Sequence, residues 1–290
     1  MMKSQSAMEY LMTYGWAILI IAVVLSVLFQ LGVFSSGNFQ PHAQAGACQV
    51  SRTAAGVSLE GQCNGLLPQY VATFNAASMS YIVVGAGSAL VTNTRGLTVA
   101  MWVYPTSLSG NGDNCFDSAT DYSPNGNIFI IRPGNCGSAG TQDAIWINGA
   151  WSFLSSPITP TMSLNTWYFV SLTYDGSYLT GYVNSNSIST AYSGTLTPAN
   201  EVVIGSASTG AEPWQGYISN VQIYNTSLSS SEIQALYLEG IGGAPIRPQN
   251  LVGWWPLNGN VNDYSGNDNN GQVNGYVAYS SSWESGYTAP

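Results

Sequence analysis

Short β-rich segments separated by turn residues constrain the fold of this chain more than any other feature. Leu97–Tyr104 and Trp167–Tyr174 alternate their side chains with a period of two, and Asp175-Gly176 follows the second segment directly. Asp-Gly between two β-rich runs is a strong hairpin signal, and Tyr178–Val183 supplies the returning strand. Further segments of this kind are Ile128–Ile131, Ala144–Ile147, Val202–Gly205 and Tyr217–Tyr224. Short strands at this spacing predict an all-β antiparallel sandwich.

The composition suits a folded chain with a polar but weakly charged surface. The 290 residues carry 5 Lys+Arg and 14 Asp+Glu, so charged residues make up 7% of the chain, against about 25% in ordinary domains. The hydrophobic fraction of 45% argues against disorder, because it is enough to bury a core. The few bases are scattered, so we expect no binding to nucleic acid. Hydroxyls and amides in place of charges are typical of extracellular surfaces.

One short helix is predicted within the β-rich region. Ser229 and Glu232 form a capping box, Ile233 and Leu236 give the helix an apolar face, and Gly240 can end it.

A long apolar run stands near the N-terminus. Tyr10–Phe34 contains no charged residue, and as a helix it would be about 38 Å long at 1.5 Å per residue, enough to cross a bilayer. A secretory signal peptide and a single-pass anchor are two interpretations of this run. Neither explains Glu9 at the edge of the apolar stretch, where a carboxylate is costly and usually functional.

The segment Lys3–Glu9 (KSQSAME) resembles the class III signal of archaeal type IV pilins. In that family a short basic leader is cut before Gln, and Glu is the fifth residue of the mature chain. Cleavage between Ser4 and Gln5 would place Glu9 fifth. The resemblance implies that Glu9 neutralises the new amine of Gln5 in a neighbouring subunit. It also implies three kinds of partner: identical subunits in a helical filament, a prepilin peptidase, and a membrane assembly machinery.

The match departs from the family pattern at two positions, and the exact cleavage site therefore stays open. Ala7 and Thr13 stand where the family favours Ser and Leu. The predicted organisation is a leader at 1–4, a transmembrane and filament-core helix at 5–36, a linker with the first cysteine pair at 37–69, and a head at 70–290.

Four cysteines follow the apolar run, and they allow three disulfide connectivities. The sequence-local choice pairs Cys48 with Cys63 and Cys115 with Cys136. An even number without any CxxC favours extracellular disulfides over zinc. Four free thiols are the alternative.

Several blocks of the β-rich region together resemble a laminin G-like, or concanavalin A-like, jelly roll. They are MWVYP, WYFVSLTYDGSYLTGYVN, VVIGSAS and WQGYISNVQIYNTSLSSSEIQALYLEG, and they match in order and spacing across about residues 70–240. The resemblance implies two curved antiparallel sheets and a binding module, since several family members bind sugars and some hold a structural calcium. Leu251–Gly275 resembles the block that normally opens such domains. We expect it to fill that slot in its own sandwich, with pairing to a neighbouring subunit as the alternative.

Candidate site residues are few. No alternating pair of acids suits a glycosidase, and the single histidine, His42, lies in the predicted linker, so we expect no enzymatic activity. Structural Ca²⁺ is the one cofactor suggested, with oxygen ligands from an Asn-rich turn, although Ser219-Asn220 replace the partner acid often present in the family. Surface glycans are a further candidate partner, through exposed aromatic rings, and Asn225-Thr226-Ser227 is a glycosylation sequon. The candidate residues are Asp263, Asn267, Asp268 and Asn269 for the metal, Trp151 and Trp214 for carbohydrate, and Asn225 for glycosylation.

The sequence therefore predicts a long N-terminal apolar α-helix followed by an all-β antiparallel jelly-roll sandwich. The leading functional hypothesis is a subunit of an archaeal type IV pilus-like filament on the cell surface, inserted in the membrane before assembly, with an adhesive head. The alternative is a single-pass anchored surface lectin that does not polymerise.

Overall fold

The structure is a computed structural model of the whole chain. It describes residues 7–30, 42–84, 95–107, 119–121, 128–132, 142–147, 150–153, 158, 162–196, 202–206 and 213–290. The chain divides into two compact units, Met1–Gln40 and Pro41–Pro290.

The first unit contains helix α1 (Ala7–Gln30). Its side chains are described over residues 14–28 and at Gln30. In the part of the chain that the structure describes, no helix is both long enough and apolar enough to cross a membrane. The prediction of a long, membrane-spanning apolar helix at the N-terminus is therefore wrong.

The second unit is an antiparallel sandwich with one α-helix, as predicted. The helix is α2 (Ser230–Leu238). The strands are β1 (His42–Ala43), β2 (Cys48–Thr53), β3 (Gly56–Gly61), β4 (Leu67–Pro68), β5 (Val71–Phe74), β6 (Tyr81–Val84), β7 (Leu97–Pro105), β8 (Ala119–Asp121), β9 (Ile128–Arg132), β10 (Gln142–Ile147), β11 (Ala150–Phe153), β12 (Tyr168–Tyr174), β13 (Tyr178–Val183), β14 (Asn186–Ala191), β15 (Val202–Ile204), β16 (Gly216–Tyr224), β17 (Leu251–Trp255), β18 (Gln272–Asn274) and β19 (Ala278–Ser280).

Two sheets form the layers of the sandwich. The large sheet has the order β14-β13-β12-β7-β16-β5-β19, with β17 also paired to β16, and the small sheet has the order β18-β6-β15-β8. Strands β9, β10 and β11 form a separate antiparallel sheet. The hairpin predicted at Asp175-Gly176 is confirmed, since β12 and β13 pair with Tyr174 opposite Leu179.

The last part of the chain closes its own sandwich. Strand β17 pairs antiparallel with β16, β18 pairs with β6, and β19 pairs with β5. Strands β5 and β17 follow one another along the same side of β16, because β5 pairs with its first residues and β17 with its last. The segment resembling the opening block thus joins the large sheet within its own chain.

Strand β7 is buried on both faces, and this decides where the cavity described below lies. Val99, Met101 and Val103 face the core between the two sheets, whereas Trp102 and Tyr104 belong to a second apolar cluster on the other side of the large sheet. Helix α2 covers part of that outer face with Ile233 and Leu236. The alternation in the sequence therefore separates two buried faces, not a buried face from an exposed one.

The capping box of α2 is confirmed. The Ser229 side chain accepts a hydrogen bond from the Glu232 backbone N–H, and the Glu232 carboxylate accepts one from the Ser229 backbone N–H. Gly240 follows the helix with a φ of 78°.

Residues 42–69, which the sequence places in a linker, contain four strands. Cys48 and Cys63 form the predicted disulfide across the β2–β3 hairpin. From that hairpin the Arg52 guanidinium donates hydrogen bonds to the carbonyl oxygens of Ser265, Pro248 and Leu251, at 2.9, 2.9 and 2.8 Å. These long-range bonds hold the hairpin against the end of the chain, which no local pattern could indicate.

Candidate functional site

Eight aromatic side chains form a connected cluster on the outer face of the large sheet. This outer aromatic cluster consists of Trp102, Tyr104, Trp167, Phe169, Tyr217, Tyr237, Trp283 and Tyr287. The rings of Trp102 and Tyr237 stack with their centroids 6.0 Å apart, and those of Tyr104 and Tyr217 stack at 5.0 Å. Edge contacts of Tyr287 with Trp102 and with Trp283 link the two parts of the cluster.

A cavity of about 190 Å³ lies in this cluster. Its walls come from three separate pieces of the chain. The large sheet and its loops supply Trp102, Thr166, Trp167 and Asn184, helix α2 supplies Tyr237, and the segment after β19 supplies Gly286, Thr288 and Ala289. None of these described lining residues carries a charge.

Asn184 presents a polar group to this cavity in a fixed orientation. Its Oδ1 accepts a hydrogen bond from the Phe169 N–H at 2.9 Å, and its own N–H donates to the Phe169 carbonyl at 2.8 Å. Its φ of 52° lies in the left-handed region, which Asn tolerates better than most residues. Because Oδ1 is engaged, Nδ2 is the remaining donor of this side chain, and it has no acceptor among the described residues.

Trp102 carries a second uncommitted donor, which is buried. The side chain is 2% exposed, and its Nε1 is buried without a hydrogen-bond partner among the described residues. By contrast, Trp167 Nε1 donates to the Trp283 carbonyl at 2.9 Å. A buried N–H without an acceptor costs about 1–3 kcal/mol, so the Trp102 indole is a donor that the described protein groups leave unused.

The outer side of the cavity is held in place by the segment 283–287. The Trp167 N–H donates to the Gly286 carbonyl at 3.2 Å, and the Tyr287 hydroxyl accepts from the Ile241 N–H at 3.1 Å. Gly286 is required at its position, because its φ is +79° and an added Cβ would lie 2.2 Å from the Asn165 carbonyl oxygen.

The only histidine also contributes to holding this segment. His42 Nε2 lies 2.6 Å from a Glu284 carboxylate oxygen, and the His42 ring contacts Trp283 edge-on at 6.5 Å. The sequence offers no sign of this pair, because the two residues are 242 positions apart.

The phenols of Tyr104 and Tyr287 stay neutral at physiological pH, because their pKa values are raised. Burial raises the pKa of Tyr104, with a smaller contribution from Tyr217. Burial also raises the pKa of Tyr287, although the hydrogen bond from Ile241 opposes the shift. The surroundings of the cavity therefore gain no negative charge from these groups.

The predicted metal ligands lie together in one turn, where the Asp263 carboxylate accepts four hydrogen bonds. Oδ1 accepts from the backbone N–H groups of Trp254 and Ser265, and Oδ2 accepts from the Ser265 hydroxyl and the Asn269 N–H, all at 2.8–2.9 Å.

The neighbouring amides are engaged with strand β17. Asn267 Nδ2 and Asn269 Nδ2 both donate to the Val252 carbonyl, whereas Asp268 is exposed with a φ of 58°. No group of three or more His, Cys, Asp or Glu side chains in the described ranges is placed to hold a metal ion. Calcium binding stays a prediction.

The candidates for carbohydrate binding and glycosylation whose side chains are described do not line the cavity of the outer aromatic cluster. Trp214 is fully buried in the core between the sheets, so its ring faces no ligand at the surface. Trp151 belongs to β11, and its side chain lies outside the described residues. Asn225 is half-buried between β16 and α2, and its Oδ1 accepts from Asn250 Nδ2 at 3.4 Å. Its glycosylation stays a prediction.

The remaining candidates cannot be placed. Ser4, Gln5, Cys115 and Cys136 lie outside the described residues, and of Glu9 only the helical backbone is described.

The cavity residues Trp102, Trp167, Asn184 and Tyr237 were not predicted. A usable signal was present, since β7 places aromatic rings at Trp102 and Tyr104, alternating with the aliphatic residues that face the core. The positions of Asn184 and Tyr237 depend on strand register and helix docking.

A two-layer antiparallel sandwich with a short helix on one sheet defines the class of protein as a lectin-like jelly roll. The chain belongs to the concanavalin A-like lectin/glucanases superfamily, whose laminin G-type model matches residues 77–234, more than half of the sequence. No curated protein matches the chain.

Solved structures share the fold at low identity. A protein from Bacteroides ovatus, provisionally described as carbohydrate-binding, has 18% identity and a TM-score of 0.55, and the match covers 80% of this chain and 65% of that one. A heptameric SAP-like pentraxin from Limulus polyphemus has 15% identity and a TM-score of 0.52, over 72% of this chain and 94% of that one. The enzymatically active domain of tailspike protein 2 from bacteriophage CBA120 has 14% identity and a TM-score of 0.50, over 70% and 34% of the two chains.

Proposed function

We propose that this protein is an extracellular carbohydrate-binding module that takes a neutral sugar into the cavity of the outer aromatic cluster. The observation that carries the proposal is an uncharged cavity with aromatic walls and an oriented amide donor at Asn184. The superfamily and the Cys48–Cys63 disulfide support it, because disulfides persist in oxidising, extracellular compartments.

The chemistry of the walls suits a sugar ring. Ligand pockets are mostly apolar with a few placed polar groups that fix orientation. The half-buried ring of Tyr237, which stacks on the buried Trp102, offers apolar contacts to the C–H groups of a pyranose. Asn184 Nδ2 offers a hydrogen bond to a hydroxyl. A charged sugar would gain no counter-ion here, so the proposal is restricted to neutral ligands.

The proposed role is binding without catalysis. Glycoside hydrolysis generally requires two carboxylates flanking the scissile bond, and the described lining residues include none.

The test is a glycan array probed with the full chain, followed by calorimetric titration of the best neutral ligand. In Asn184→Asp the Oδ1 still accepts the Phe169 N–H, but the donor is replaced by an anionic oxygen, so we expect affinity to fall by about tenfold or more, equivalent to about 1.4 kcal/mol. Tyr276→Ala is the matched control, since Tyr276 is 71% exposed and does not line the cavity. Absence of binding to every neutral glycan at millimolar concentration would overturn the proposal.

A second candidate function is self-assembly through helix α1. Its support is that Trp16, Ile18 and Ile20 are 67%, 66% and 58% exposed, and the described side chains of residues 14–27 are exposed throughout. A helix that is apolar all round needs a cover, and identical copies in a filament, as the pilin-like segment Lys3–Glu9 implies, would provide it.

Mass spectrometry of the protein from its native cell surface tests this second candidate. We expect Gln5 as the first residue, produced by a prepilin-type peptidase, and loss of filaments in Glu9→Ala. An intact Met1, or unchanged filaments in the variant, would contradict it.

A further inference from the structure

We infer that the side-chain amide of Asn64 is a site of spontaneous deamidation, and that the fold protects the other Asn-Gly pairs that the structure describes. A glycine after asparagine favours this reaction, because it has no side chain to shield the backbone nitrogen that attacks the amide. The described pairs begin at Asn64, Asn258, Asn270 and Asn274. Since all of them share the same dipeptide, differences in their rates report on the tertiary structure around each pair.

The reaction needs only the chain and water. The Gly65 nitrogen loses its proton to solvent and attacks the side-chain carbonyl carbon of Asn64, which forms a new C–N bond. The amide nitrogen takes up a proton and leaves as ammonia. Water then opens the cyclic imide at one of its carbonyl carbons, so position 64 becomes aspartate or isoaspartate and gains a negative charge.

The surroundings of Asn64-Gly65 leave both reacting groups available. The pair forms an exposed bend between Cys63 and strand β4. Neither the Asn64 side chain nor the Gly65 N–H has a hydrogen-bond partner in the described parts of the chain. Gly65 has a φ of +67°, and a Cβ added to it would meet no atom within 4 Å. The attacking nitrogen and the imide therefore have open space around them.

Asn258-Gly259 is the opposite case. Asn258 is 6% exposed, and its Oδ1 accepts a hydrogen bond from the Tyr70 N–H at 2.8 Å. Its Nδ2 donates to the Ala43 carbonyl at 2.7 Å. Imide formation there would expel the nitrogen that binds Ala43, at a position with little access to the water that the reaction consumes.

The remaining described pairs are held by backbone hydrogen bonds. The Gly271 N–H, which would be the nucleophile for Asn270, donates to a carbonyl at 2.8 Å, and Asn270 Oδ1 accepts from the Asp263 N–H at 2.9 Å. Asn274 belongs to β18 and lies opposite Tyr81 of β6 in the antiparallel ladder. Reaction at either pair requires a local opening of the structure, which lowers its rate.

The experiment follows all four pairs in one sample of the full chain. The oxidised protein is incubated at mildly alkaline pH, digested with pepsin in acid to stop further deamidation, and mapped by mass spectrometry for amide-to-acid conversion. A second sample is reduced and unfolded in urea before the same incubation. Asn64→Gln is the matched variant, because its longer side chain closes a larger imide ring and reacts slowly.

In the folded chain we expect Asn64 to convert at least about tenfold faster than Asn258, Asn270 or Asn274, equivalent to about 1.4 kcal/mol of activation free energy. In urea the four rates should converge, because the tertiary contacts that separate them are gone. Conversion at position 64 should be lost in Asn64→Gln over the same time. Equal rates at Asn64 and Asn258 in the folded chain would overturn the inference, and so would a ranking that unfolding leaves unchanged.

Discussion

The buried amide of Asn220 provides a sharp test of how strand β16 is held beneath the loop that follows α2. Asn220 is 6% exposed, and its Oδ1 accepts hydrogen bonds from Trp254 Nε1 at 2.7 Å and Gln222 Nε2 at 3.1 Å. Its Nδ2 donates to the Gly243 carbonyl at 2.8 Å. Since Trp254 is 3% exposed, its indole N–H loses its acceptor in a buried position if Asn220 is truncated.

Three costs contribute to the effect of Asn220→Ala. The orphaned Trp254 N–H costs about 1–3 kcal/mol, and the lost bond to Gly243 costs about 1 kcal/mol. The φ of 52° at this position adds about 1–2 kcal/mol for Ala. We expect the free energy of unfolding to fall by about 4 kcal/mol, measured by urea denaturation of the oxidised chain.

Two further variants separate these costs. Asn220→Gly tolerates the left-handed backbone, so its loss should be smaller than that of Asn220→Ala by about 1 kcal/mol. Trp254→Phe removes the orphaned donor, so it should cost less in the Asn220→Gly background than in the natural chain. The reasoning is refuted if Asn220→Ala costs less than 1 kcal/mol, or if Trp254→Phe costs the same in both backgrounds.

Three other predictions concern stability and the cavity wall. Paired Cys48→Ser and Cys63→Ser should lower the free energy of unfolding by about 3 kcal/mol, because the disulfide closes a loop with a sequence separation of 15; a loss below 1 kcal/mol in urea titrations would contradict this. Burial alone would raise the pKa of Glu232, but the hydrogen bonds from Ser229 and Arg247 bring this pKa below its ordinary value. The ionised Glu232 therefore stabilises the folded state above the unfolded-state pKa, and this stabilisation is lost as pH falls through the folded-state pKa. Across the acidic range, the melting temperature of Glu232→Gln should depend less on pH than that of the natural chain. Identical plots of melting temperature against pH for the two chains would refute this assignment. Gly286→Ala should lower the melting temperature as well as weaken sugar binding, because its φ is +79° and the new Cβ would lie 2.2 Å from the Asn165 carbonyl oxygen; an unchanged thermal melt would contradict this.

The strands and the helix were predictable because their signals are local. Alternation with a period of two located β7 and β12 within one or two residues, Asp175-Gly176 located a hairpin, and Ser229 with Glu232 located the start of α2. The disulfide between Cys48 and Cys63 was also accessible, because the shortest loop was the correct choice.

Other features were hard to predict because their environment is set by distant parts of the chain. The segment around Cys48 looked like a linker, because Arg52 finds its acceptors in residues almost two hundred positions away. In the turn containing Asp263, only the structure shows that the carboxylate accepts hydrogen bonds from Trp254, Ser265 and Asn269, and calcium binding there stays a prediction.

The sequence by itself determined the class of fold, since period-two patterns, turn dipeptides and capping residues act over a few positions. Only the tertiary structure decided where the cavity of the outer aromatic cluster lies. The cavity exists because β7 places Trp102 outward, Asn184 is clamped to Phe169, Tyr237 docks from α2, and the segment around Gly286 crosses over them. These residues come from pieces of the chain that are far apart in sequence, so their meeting depends on strand register and helix docking, which no local pattern encodes.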